Sequence, residues 1–194
     1  MDKYQGRNGD NEEAPNDAEI VILTDDQGRS LSCYLERTFD VNGDRYALLL
    51  PVDPPIEIFA WDVVDDDEEE ENLVDITDDE LDEVFPTARA VLAEQNIALQ
   101  RTAVTLTATG EIPVPEDDDI ITLDLGEDEA ELEAEQLQLL ATFYQDEQEY
   151  SVYTPLDPLL ICVRLKGDGT PELLSPEEFQ VMRSQLEDYL FEDL

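Results

Sequence analysis

The sequence predicts an α+β fold: two tandem copies of an antiparallel β-meander, each followed by an amphipathic helix, with acidic loops. Three observations carry this. "TFDVNGDRYALLLPVDPP" at 38–55 recurs as "TFYQDEQEYSVYTPLDPL" at 142–159. Thr38, Phe39, Tyr46, Pro51, Asp53 and Pro54 reappear as Thr142, Phe143, Tyr150, Pro155, Asp157 and Pro158, 104 positions on from Thr38 to Thr142 and from Pro54 to Pro158 alike. Both copies run into a helix start, "ITDDEL" at 76–81 and "LSPEEF" at 174–179, and 41% hydrophobic residues suffice for a core.

In chain order, residues 1–18 are polar and aperiodic, an acidic disordered arm. "EIVILT" and "SLSCYLERTF" flank the turn residues "DDQGR", which predicts a hairpin over 19–39. Asn42-Gly43 is the next hairpin signal, because both central turn positions favour positive φ. After Tyr46–Leu50, "PVDPP" lacks the N–H groups a ladder needs. A fourth strand follows, with Ile56, Ile58 and Ala60 alternating against Glu57, Phe59 and Trp61, and the four strands are expected to form one meander. Asp53 and Asp157, each before a proline, are expected to accept backbone N–H groups and close their turns.

Thr77 and Glu80 have capping-box spacing, and Leu81, Val84, Phe85, Ala88 and Leu92 share a helical face. Pro86 predicts a kink or restart before the helix ends near Asn96. Residues 97–118 read as a linker holding one extra strand, "RTAVTLTA". The second module begins near Asp119 and ends in a helix with Ser175 as N-cap, Pro176 at N1 and Glu178 at N3, carrying Phe179, Met182, Leu186 and Leu190. The modules are thus 19–96 and 119–194.

The charge narrows function. There are 52 acidic and 10 basic residues, a net charge of −42 and no histidine. Nucleic acids and anionic lipids need cationic contacts, so direct binding to either is excluded and a basic protein partner is favoured. The acids nominated to steer that partner are Asp65, Asp66, Asp67, Glu68, Glu69, Glu70 and Glu71 in one run, and Glu127, Asp128, Glu129, Glu131, Glu133 and Glu135 in the other. Trp61, Tyr153 and Tyr189 are candidate anchors, with packing the commoner fate of such rings. A monomer is expected at this charge.

Nothing points to an enzyme. Without histidine there is no Ser-His or Cys-His pair, and neither phosphate-binding glycine motif occurs. Cys33 and Cys162 read as reduced core thiols, poor nucleophiles among apolar and acidic neighbours. "DVNGDR" at 40–45 departs from the calcium-loop spacing, so no cofactor, catalytic or metal residue is assigned. The alternatives are a nucleic-acid mimic that inhibits a nucleic-acid-binding protein, and a low-affinity divalent-cation binder. No apolar run is long enough to span a membrane and the N-terminus has no signal-peptide core, which reads as a soluble, unexported chain.

The stretch "IVILTDDQGRSLSCYLERTFDVNGDRYALLLPVDPPIEIFAW", followed by acids and "VDITDDELDEVF", resembles the YrzB-like family of small acidic bacterial proteins of unknown function. Two such units, with "FPTARAVLAEQN" between them and "LSPEEF" near the end, resemble an acidic family of cyanobacteria and plant plastids. The resemblance covers about residues 19–194 and implies no activity and no catalytic residues. It implies a cyanobacterial cytoplasm or a plastid stroma, and an N-terminus that is not transit-like favours the cytoplasm.

Overall fold

A computed structural model describes residues 18–63, 71–124 and 134–191. The chain opens with β1 (Ile20–Thr24), β2 (Ser30–Val41) and β3 (Asp44–Pro51), paired in series. Asp25 closes the first turn by accepting the N–H groups of Gln27 and Arg29 at 3.0 and 2.9 Å. The second turn has Asn42 at φ 53° and Gly43 at φ 91°, the conformation their sequence predicts. Residues 134–155 repeat this hairpin. β9 (Ala134–Gln145) and β10 (Gln148–Pro155) have the bounds of β2 and β3 shifted by 104, and Asp146 and Glu147 take φ 50° and 71° where Asn42 and Gly43 stand. A bulge skips Glu36 in one hairpin and Leu140, its counterpart, in the other. Phe39 stacks on Tyr46 with centroids 5.8 Å apart, and Phe143 on Tyr150 at 5.4 Å.

The fourth strand departs from expectation. Among the described residues the strands form two sheets, and β4 (Pro55–Val63) does not pair with β3. It crosses to β10, with Ala60 opposite Tyr150, while β11 (Ile161–Leu165) crosses back to β3, with Arg164 opposite Tyr46. The first sheet therefore runs β1-β2-β3-β11-β12, ending in β12 (Pro171–Leu173). The second runs β6 (Ala98–Arg101), β7 (Leu106–Thr109), β4, β10, β9 and β8 (Ile120–Asp124), with β5 (Glu71–Asp75) also against β4. Prolines explain the crossing: Pro51, Pro54 and Pro55 bring no N–H to a local β3–β4 hairpin, so the chain leaves the sheet there. Strand pairs consequently link residues 19–96 to 119–194. The turns are pinned by backbone rather than by carboxylates. Val52 N–H donates to Ser32 C=O and Leu156 N–H to Gln136 C=O, both at 2.9 Å, whereas neither Asp53 nor Asp157 accepts a hydrogen bond among the described residues.

Each sheet carries a helix on one face. α1 (Asp78–Ala93) is capped by Thr77, whose Oγ1 accepts Glu80 N–H at 3.3 Å. At α2 (Pro176–Phe191) the capping box is complete: Ser175 Oγ accepts Glu178 N–H at 3.2 Å and the Glu178 carboxylate accepts Ser175 N–H at 2.9 Å. The expected break at Pro86 does not occur. Pro86 and Asp82, whose carbonyl loses a donor, both lie on the exposed side of one continuous helix, so that carbonyl is not sealed in the core. Val84, Ala88 and Leu92 bury against Ile56, Ile58, Phe143 and Tyr150, and Met182 of α2 packs against Phe39, Tyr46, Leu48 and Cys162. Each helix thus covers the ring pair of the other segment. Phe179, expected on the apolar face, is half exposed; the side chains of Leu186, Tyr189 and Leu190 lie outside the described ones.

The expected single strand in the linker is two, β6 and β7, joined through Val104 at φ 75°. Cys33 and Cys162 are both free and lie in separate clusters of the first sheet, where burial pushes each thiol up to about 11. No helix among the described residues is long and apolar enough to cross a membrane.

Candidate functional site

The two nominated acidic runs fall largely outside the described residues: Asp65–Glu70 and Glu127–Glu133 do, while Glu71 opens β5 and Glu135 is the second residue of β9. The shared framework residues build the two hairpins and do not meet in one site. Trp61 and Tyr153 pack: Trp61 Nε1 donates to Ser151 Oγ at 2.9 Å, and Tyr153 is 1% exposed, edge-on to Phe59.

One place does gather carboxylates beside open space. The alternation of β4 turns Ile56 and Ile58 toward α1, leaving Glu57 and Phe59 on the other face of the strand. Glu57 lies opposite Tyr153 of β10, and Asp75, the last residue of β5, lies opposite Phe59. β9 places Glu135 opposite Leu123 of β8. Between these strands and the start of α1 opens a cavity of about 380 Å³, walled by Ile58, Phe59, Leu81, Leu106 and Leu123 and reached by Glu57, Glu135 and Asp75. Burial first, then Glu135 and Asp75, pushes the Glu57 carboxyl up to about 7. Burial and the nearby Asp157 raise Glu135 as well.

The first sheet shows what these positions become without acids. In register, Glu57 corresponds to Ile161 and Glu135 to Leu31, both buried, and Asp75 opposite Phe59 corresponds to Leu173 opposite Val163. The first sheet has its own opening, between β1 and β12, but two of the three acids that line it are paired, Asp25 with Arg29 at 2.6 Å and Glu172 with Lys166 at 3.3 Å, which leaves Asp26 alone without an ion pair among the described residues. Glu57, Glu135 and Asp75 have no ion-pair partner among the described residues. Sequence reasoning missed Glu57 and Asp75. The available signal was the comparison of the two segments, at the offset of 104 for Glu57, which sets an acid against an isoleucine or leucine at a strand position. Chemically the arrangement suits a cation: at neutral pH Glu57 can exchange its proton for one. Among the described residues no three acidic or thiol side chains are placed to hold a metal ion.

Two family models match the sequence, one on each side of the end of α1. Residues 96–193 match the family described as "Protein of unknown function (DUF3727)", slightly more than half of the 194-residue chain. The chain belongs to the DUF3727 family. Residues 26–93 match a second family, "Protein of unknown function (DUF1292)". The chain is also 34% identical over 64 residues to the UPF0473 protein of Alkaliphilus oremlandii (strain OhILAs), covering 32% of this DUF3727 member and 74% of that relative. No solved structure matches it. The two family matches share both sheets, since β4 lies within the DUF1292 match and its partner β10 within the DUF3727 match.

Proposed function

We propose that this protein is a non-enzymatic adaptor or assembly factor that docks a basic protein partner in the cytoplasm, and that its two segments are one strand-and-helix unit used twice. The second part is supported by the strand bounds, turns, bulges and stacked rings that recur 104 residues apart. The first rests on charge. Against a net charge of −42, Arg29, Arg45, Arg101, Arg164 and Lys166 are already held by the protein's own acids. The field outside is therefore negative, and it accelerates encounter with a basic surface.

Salt tests this. Capture of a partner from nuclease-treated native lysate, followed by stopped-flow association of the purified pair, should give an on-rate that falls steeply from about 50 to about 500 mM salt. A flat on-rate over that range overturns the proposal.

A further inference from the structure

The cavity bounded by β4, β5, β8 and β9 combines two features that define its occupant. Its walls are hydrocarbon, and Glu57, Glu135 and Asp75 reach it with no counter-ion among the described residues. Asp75 is exposed but Glu57 and Glu135 are half-buried, and half-buried acids without a partner are unfavourable. Folding does not require them, because the first sheet has Ile161, Leu31 and Leu173 at the corresponding positions. Apolar walls with acids at one side fit a cation carried on an aliphatic stem, which buries its methylenes and presents its charge. A bare metal ion fits less well, since no three ligands converge there.

We propose that this cavity receives one lysine or arginine side chain of a basic partner, its stem along Phe59 and Leu123 and its head among Glu57, Glu135 and Asp75. This rests on the basic-partner reading above. A charge of −42 concentrates a multiply basic protein far more than a singly charged amine, which favours a protein as the source of the side chain. The groups facing Glu57 are Glu135 from β9, Asp75 from β5 and Tyr153 from β10, with Asp157 near Glu135. An entering cation favours the ionised carboxylate, so Glu57 releases its proton as the cavity fills and binding strengthens from about pH 6 to about pH 8.

The test uses the full chain and three probes: n-butylguanidinium, its neutral counterpart n-pentanol, and polylysine. Titration with n-butylguanidinium should move the ring resonances of Phe59 and the methyl resonances of Leu123, with higher affinity at the higher pH, and n-pentanol should bind more weakly. Glu57→Gln should weaken the guanidinium by about tenfold or more and remove the pH dependence. Asp26→Asn takes the same charge from the first sheet's opening and should change affinity by less than about twofold. Equal binding of pentanol, or wild-type affinity in Glu57→Gln, overturns the proposal. If polylysine binds with salt sensitivity but guanidinium gives no response, the cavity proposal fails and the basic-partner reading stands. If guanidinium responds but polylysine shows no salt-sensitive binding, the basic-partner reading fails and the cavity's preference for a cation stands.

Discussion

Glu57 carries a carboxyl on the side of β4 where its neighbour Phe59 is buried, and this conflict has a pH signature. Burial and the adjacent Glu135 and Asp75 raise the group from 4.5 to about 7 in the folded protein. Below the lower value both folded and unfolded chains hold the proton, so Glu57 adds no pH dependence. Between the two values the unfolded chain has lost a proton that the folded chain retains, so stability falls as pH rises through this window. Glu57→Gln should therefore flatten the wild-type decline and be the more stable protein at about pH 8. The carboxyl is partly exposed and solvent-screened, so the gain is about 1 kcal/mol. Urea unfolding at about pH 5 and about pH 8 measures it, and equal slopes for variant and wild type would refute the assignment. The strand's alternation was legible in the sequence and placed Glu57 opposite Ile56 and Ile58. That this face is closed over was not, because β8 and β9, which cover it, lie far along the chain. Asp53 and Asp157 show the converse: a turn chemistry that local sequence allows was displaced by backbone hydrogen bonds to the preceding strand of each hairpin, Val52 to Ser32 and Leu156 to Gln136.

At the scale of elements, two turns carry opposite predictions. Gly110, at φ 125°, follows β7, and a Cβ there would stand 2.4 Å from the carbonyl oxygen of Asn96 just beyond α1. Both the backbone angle and the contact exclude a side chain, so Gly110→Ala should cost about 2 kcal/mol or more. Glu147 holds φ 71° where its counterpart Gly43 has no Cβ to strain. Relief of that strain, offset in part by glycine's added freedom when unfolded, should make Glu147→Gly more stable by about 0.5 kcal/mol. The midpoint of urea unfolding should move in opposite directions for the two variants; movement in one direction would show that the turns do not govern their hairpins. The hairpins and capped helix starts were readable because Asn-Gly, Thr-x-x-Glu and Ser-x-x-Glu act within a few residues. Pro86 misled, since a proline's cost depends on which side of the helix its unpaired carbonyl faces. That side is set by packing on β4, β9 and β10.

For the whole molecule the exchanged strands set cooperativity. β4 belongs in sequence with β1–β3 yet completes the other sheet, and β11 makes the reciprocal crossing. The helices follow their strands, so α1 covers Phe143 and Tyr150 while α2 reaches Phe39 and Tyr46 through Met182. Neither sheet keeps its centre if the other segment unfolds. Although two family matches divide the sequence, the protein should melt as one unit. The side chains supply independent probes of the two sheets. Trp61, the chain's single tryptophan, sits in β4 of the second sheet, and both cysteines, Cys33 and Cys162, are buried in the first. In urea, the change in tryptophan fluorescence and the onset of thiol labelling should coincide. Thiols that become reactive more than about 0.5 M before the fluorescence changes would show that the first sheet opens alone. The crossing strands would then join two separately stable bodies. Coincidence would mean that pairing across the crossings holds each sheet only as long as the other persists.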